Sequence, residues 1–179
     1  MVLSNDSQRA EKLKILRNHG MHPQYHHQII GSNFRIDALQ AAVLNKKLKY
    51  LDIWTEKRQE NFAFYGSAFQ GCSLISTPKF APWCTRHVGN QFVVRIKEGL
   101  RDKVWDALKE AGIGCAVYYP IPLHMQECFQ HLNYKESNFP ESEKAARETL
   151  ALPIYPELTA EQKEYVAETL LNILKELSL

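Results

Sequence analysis

Apolar residues recur three and four apart in five stretches of the chain, and each stretch predicts a helix with one buried face. Ala10, Leu13 and Leu16 mark the first; Asn5, Asp6 and Ser7 offer side-chain acceptors at its start and Gly20 stops it. The run Met1-Val2-Leu3-Ser4 ahead of it reads as a short strand with no earlier strand to pair with. Ile36, Leu39, Val43, Leu44, Leu48 and Leu51 begin a longer stripe that Phe62, Tyr65 and Phe69 continue. No proline interrupts residues 24–77, so this region is one kinked helix or two consecutive helices.

Gly71, Pro78 and Pro82 punctuate the pattern, which places a boundary between residues 1–74 and 75–179. Strands then alternate with helices. Phe92 to Ile96 and Cys115 to Tyr119 read as strands, with Val104, Leu108 and Ala111 on a helix between them that Gly112 ends. The segments near 92–96 and 114–119 are expected to share one sheet, parallel if the helix makes a βαβ crossover. Asn138-Phe139-Pro140 leads into a helix running through Ala145 and Leu150. Thr159-x-x-Gln162 has the form of a capping box ahead of Val166, Leu170, Ile173, Leu174 and Leu177. A small sheet covered by helices buries these faces most simply, which makes the fold α/β.

With 45% hydrophobic and 23% charged residues, the chain is of globular composition. Its 22 basic and 20 acidic residues are spread without blocks, so nothing points to a nucleic-acid partner. No apolar stretch approaches the roughly 20 residues that cross a bilayer, and no signal peptide opens the chain. A cytoplasmic protein without a membrane partner is expected. Cys72, Cys84, Cys115 and Cys128 share no C-x-x-C spacing, which argues against zinc or thioredoxin chemistry.

Three segments offer polar chemistry. In His22-Pro23-Gln24-Tyr25-His26-His27, two histidines four apart suggest a metal. Pro23 favours a loop, however, and neither the Glu of H-E-x-x-H nor a third ligand follows, so the segment reads as a polar loop. Gly31-Ser32-Asn33-Phe34-Arg35-Ile36-Asp37 sets an amide and a guanidinium two residues apart beside a helix start, donors that suit a phosphate or carboxylate. The plainer alternative is that Asn33 caps the helix and Arg35 pairs with Asp37. Tyr118-Tyr119-Pro120-Ile121-Pro122-Leu123-His124 ends a strand in two aromatics and a proline-stiffened loop. That loop either presents His124 or is an ordinary turn packed by Tyr118 and Leu123. No nucleophile elbow or Gly-rich phosphate loop is present.

In order, the motifs Leu3-Ser4-Asn5-Asp6, Leu16-Arg17-Asn18-His19-Gly20, Gly31 to Ala42, Tyr119-Pro120-Ile121-Pro122-Leu123-His124, Phe139-Pro140 with Glu143, and Leu152-Pro153 with Leu158-Thr159 resemble the DegT/DnrJ/EryC1/StrS aminotransferases. The resemblance implies the C-terminal part of the aspartate-aminotransferase (PLP-dependent transferase) fold. Residues 1–74 would be the trailing edge of the large, cofactor-binding domain plus interdomain helices, and residues 75–179 the small domain. It implies pyridoxal phosphate (PLP) as cofactor, with an amino acid, commonly glutamate, and a nucleotide-linked keto sugar as substrates. It implies either a homodimer, with active sites at the interface, or association with an N-terminal half. Asn33 matches the residue that reaches the cofactor phosphate of the neighbouring subunit, and Arg35 the arginine beside it. His124 and Tyr119 match positions toward the sugar. The family's Schiff-base lysine belongs to a segment ahead of the one matched here, and Lys46, Lys47 and Lys49 do not match it. No catalytic residue is therefore expected in this chain, which alone would be inactive, or a partner-binding or self-associating remnant.

Overall fold

The computed structural model describes residues 2–178. The chain forms two compact units, one ending at Tyr50 and the other starting at Leu51.

In the first unit, helix α1 (Ser7–Leu16) is capped by Asp6, whose Oδ1 accepts from the amides of Gln8 and Arg9 at 2.9 and 3.1 Å. Of the strand expected over Met1–Ser4, Met1 lies outside the described residues and residues 2–4 form no strand; Val2 and Leu3 are exposed. Beyond α1 the chain loops out and returns along the helix end. His19 N–H donates to the Ser32 carbonyl, Ser32 N–H to Leu16 and Phe34 N–H to Arg17, at 3.0–3.1 Å. Two glycines allow this approach. A Cβ on Gly20 would collide with the Ile29 carbonyl, and one on Gly31 with the backbone nitrogen of Gly20.

Helix α2 (Ala38–Leu48) starts with a capping box in which Asp37 accepts from Leu39 N–H at 2.8 Å and Gln40 reaches back to the Asp37 amide at 3.4 Å. It ends before Tyr50, and α3 (Leu51–Ala68) follows, so the long apolar stripe belongs to two consecutive helices. On α2 the stripe stays uncovered: Leu39 is 75% and Leu48 65% exposed, and Val43 and Leu44 lie open between them.

The second unit is built on a three-stranded antiparallel sheet, in the order β1 (Ile75–Ser76), β2 (Phe92–Ile96), β3 (Thr149–Leu152). Alternation along β2 buries Phe92, Val94 and Ile96 on one face. Phe92 lies at the centre of an aromatic cluster, 4.8 Å from Phe62, 5.2 Å from Tyr65 and 6.4 Å from Phe69 between ring centroids. Those three partners come from α3 and the residue just past it, so α3 folds with the sheet. The second unit therefore begins with α3, at Leu51.

Helix α4 (Arg101–Glu110) buries Val104 and Leu108, and α6 (Ala160–Leu177) buries Val166, Leu170 and Leu174 behind the Thr159–Gln162 capping box. The helix before β3, α5 (Pro140–Glu148), contacts β2, and Glu148 at its end meets Arg95 of β2 at 3.8 Å.

Two further readings need correction. Leu150, expected at a helix end, lies in β3, fully buried beside β2. Cys115–Tyr119 forms no strand; it contributes one bridge, in which Ala116 and Ala151 exchange hydrogen bonds of 3.2 and 2.8 Å. Both this bridge and β2 run antiparallel to β3, so the 116 segment shares β2's direction but lies on the far side of β3. Pro120 and Pro122 have no N–H to extend the ladder.

Candidate functional site

Two groups of polar residues stand out, one in each unit. The first is the ledge that returns along the end of α1. The Oδ1 of Asn33 accepts from the Arg35 backbone N–H at 3.2 Å, which makes Nδ2 the donor end of the amide. The Arg35 guanidinium donates through Nη1 to Asn18 Oδ1. Both Asn33 and Arg35 are exposed, just ahead of the N-terminus of α2. Neither plainer alternative is seen among the described residues: Asp37, not Asn33, caps the helix, and Arg35 takes Asn18 rather than Asp37 as its side-chain partner. No local pattern marks Asn18 as the partner of Arg35, although it lies in the matched Leu16–Gly20 segment. Seventeen residues separate it from Arg35, and only the returning loop brings them together. In the polar loop, His27 donates through Nδ1 to the His19 carbonyl, 2.9 Å away.

The second group lies on a strap, residues 118–139, between the Ala116 bridge and α5. Tyr119 is 73% exposed and stands edge-on to Tyr118 with ring centroids 5.8 Å apart. Together with Pro120, Leu123, Ser142 and Ala145 they line a cleft of about 440 Å³. His124 does not line it. Its Nε2 lies 3.0 Å from Glu143 Oε1, both side chains are only 7% exposed, and its ring packs on Phe139 at 4.8 Å.

Glu143, in the first turns of α5, also accepts from the backbone N–H of Ser137 at 3.0 Å and of Phe139 at 3.3 Å. The Ser137 bond, then those of His124 and Phe139, hold its carboxyl below the usual carboxylate range against the opposing effect of burial. One carboxylate thus fastens the strap at its middle and its end. Glu143 was legible only as part of the Phe139-Pro140 match. The usable signal was a carboxylate a few residues into a helix that starts with proline, from where it can reach back to the helix start.

This arrangement of helices around a small antiparallel sheet accompanies a sequence match over residues 1–171 to the DegT/DnrJ/EryC1/StrS aminotransferase family, and the chain belongs to that family. It is 44% identical over 170 residues to a pleiotropic regulatory protein of Geobacillus stearothermophilus, covering 94% of this chain and 45% of that one. It is 36% identical over 167 residues to a UDP-N-acetyl-3-dehydro-alpha-D-glucosamine 3-aminotransferase of Acidithiobacillus ferrooxidans, covering 93% and 44%. Among solved structures, S. venezuelae DesV in complex with a ketimine intermediate superposes with a TM-score of 0.87 at 35% identity, covering 93% of this chain and 44% of DesV. The chain therefore spans a little under half the length of these relatives, and its fold is that of the corresponding part of sugar aminotransferases. No helix among the described residues is long and apolar enough to cross a membrane.

Proposed function

We propose that residues 1–179 act as the C-terminal part of a cytoplasmic PLP aminotransferase that moves an amino group from an amino acid, commonly glutamate, to a nucleotide-linked keto sugar. The family match and the activity named for the A. ferrooxidans relative support this reading. The observation that carries it is the ledge, where a neutral amide donor and a guanidinium held by Asn18 stand exposed just ahead of a helix start.

That donor set fits a phosphate monoester: Asn33 offers an N–H, Arg35 a charged fork, and α2 the positive end of its dipole. When bound, PLP supplies an electron sink for the bond changes at the amino-bearing carbon. This chain's share is to bind and orient. Asn33 donates from Nδ2 to a phosphate oxygen, Arg35 meets an anionic group of cofactor or substrate, and Tyr119 meets the sugar from the mouth of its cleft. His124, tied inward to Glu143, acts on the sugar through the one ring edge it leaves open. In this reading the lysine that holds the cofactor and moves the proton comes from the N-terminal half, and this chain alone transfers no amino group. The bare apolar face of α2 is covered in the working assembly by that half or by a second copy.

Borohydride trapping after addition of PLP, followed by peptide mapping, tests the reading. The chain alone gives scattered lysine labelling and no turnover; one stoichiometric lysine with turnover refutes the proposed division of labour. With the N-terminal half co-expressed, Asn33→Ala loosens PLP by about 1 kcal/mol, roughly fivefold. Unchanged PLP affinity in folded Asn33→Ala protein removes the phosphate contact.

The uncovered α2 face also favours a second reading, in which the chain is a non-catalytic, self-associating remnant. Sedimentation then shows concentration-dependent dimers, and a monomer that persists at high concentration rules this out.

A further inference from the structure

The His124–Glu143 pair does more than fasten a loop. A carboxylate only accepts, so the Nε2 that faces Glu143 Oε1 at 3.0 Å carries a proton. In the neutral ring, Nδ1 is then a bare lone pair. Nδ1 has no hydrogen-bond partner among the described residues, yet none of their buried side-chain nitrogens or oxygens lacks one, so Nδ1 is reached by solvent. The rest of the ring is closed off. Phe139 packs on it at 4.8 Å and is itself held edge-on by Tyr134 at 5.1 Å. Glu143 cannot swing away, because its two oxygens also bind the amides of Ser137 and Phe139.

We propose that Glu143 is a positioning residue that fixes His124 as the Nε2–H tautomer and so presents Nδ1 as a hydrogen-bond acceptor for a hydroxyl of a bound ligand. The ligand class, a sugar hydroxyl, rests on the aminotransferase reading; the tautomer does not. A clasp with a purely mechanical role would hold the strap without turning a defined ring nitrogen toward solvent.

The test begins with ¹H–¹⁵N NMR of the histidine side chains in the full 179-residue chain without cofactor. The expected result is a protected Nε2–H resonance for His124 with an unprotonated Nδ1. That resonance is lost in both Glu143→Leu and Glu143→Ala, while the amides of Leu170 and Leu174 in the core stay in place. Glu143→Leu, which removes both acceptor oxygens but fills the space, decides the matter if Glu143→Ala does not fold. A proton on Nδ1 in the unmodified chain, or an Nε2–H resonance that survives in the folded variants, overturns the proposal. In the enzyme restored with its N-terminal half, Glu143→Leu raises KM for the keto sugar and leaves the amino-donor half-reaction unchanged; an equal loss in both half-reactions also overturns it. Neither NMR outcome depends on PLP, so failure there is distinct from failure of the aminotransferase reading, which the trapping experiment decides.

Discussion

Replacing Gly31 by alanine adds one methyl group to the ledge that carries Asn33 and Arg35, and the consequences can be worked out. Gly31 has no positive φ, so its backbone suits an L-residue and the cost is steric alone. The new Cβ would lie 2.6 Å from the Leu16 carbonyl oxygen and 2.9 Å from the His19 carbonyl carbon, against 3.4–4 Å for ordinary contact. The obstacles are backbone atoms, the Gly20 nitrogen being nearer still, so the returning segment of the loop must lift away by close to an ångström. Overpacking of that kind costs about 1–3 kcal/mol. It falls on the hydrogen bonds from His19, Ser32 and Phe34 that tie the ledge to the helix end. Amide exchange at those three residues should accelerate by roughly 5- to 150-fold. Gly66→Ala is the control. Nothing lies within 4 Å of the added methyl on α3, and removing a glycine from a helix interior should stabilise by about 1 kcal/mol. If exchange at His19, Ser32 and Phe34 is unchanged in Gly31→Ala, close backbone approach is not what shapes the ledge.

Phe92→Ala removes the centre of the aromatic cluster and should lower stability by about 3–5 kcal/mol in urea unfolding, with a loss under 1.5 kcal/mol counting against Phe92 as the hub. Tyr65→Phe takes away the hydroxyl that donates to the Pro153 carbonyl at 3.1 Å and should cost about 1 kcal/mol by the same assay; a neutral result would mean water replaces the bond. The lowered pKa of Glu143 predicts a pH dependence. A depressed carboxylate stabilises above its unfolded pKa and loses that contribution as pH falls through the folded value. The Tm gap between the unmodified chain and Glu143→Gln should therefore be full at neutral pH and close in acid, below the usual carboxylate range; a gap independent of pH would show that the charge is not what matters.

Where the sequence pattern has one dominant physical cause, it was readable. The Thr159-x-x-Gln162 box and the apolar stripe after it specify α6 because caps and periodicity agree there. Asp37 with Gln40 carries an equally local signal, yet Asn33 competed with it as a cap, and only the folded loop shows Asn33 turned back onto the Arg35 amide. β3 was hidden because three of its four residues are buried, which erases the alternation of a half-exposed strand and lets Leu150 read as more helix. The His124–Glu143 pair was out of reach for another reason. Nineteen residues separate the partners, and no local rule ties a histidine in a proline-rich loop to the first turns of the following helix.

The manner in which the strap is fastened bears on how such a protein can diversify. One end is pinned where Ala116 pairs with Ala151 of β3, and the middle and far end are pinned on Glu143 of α5, which runs into β3 without an intervening loop. Both moorings therefore belong to a single stretch of chain, residues 143–151. What lies between them behaves as a cassette: its length and side chains can be exchanged without disturbing the sheet that receives it. Doubling such a loop costs only about 0.6 kcal/mol in closure entropy. A lineage that keeps Glu143 and the Ala116 bridge can thus reshape the Tyr118–Tyr119 cleft by insertion and deletion alone, while the scaffold beneath it remains unaltered.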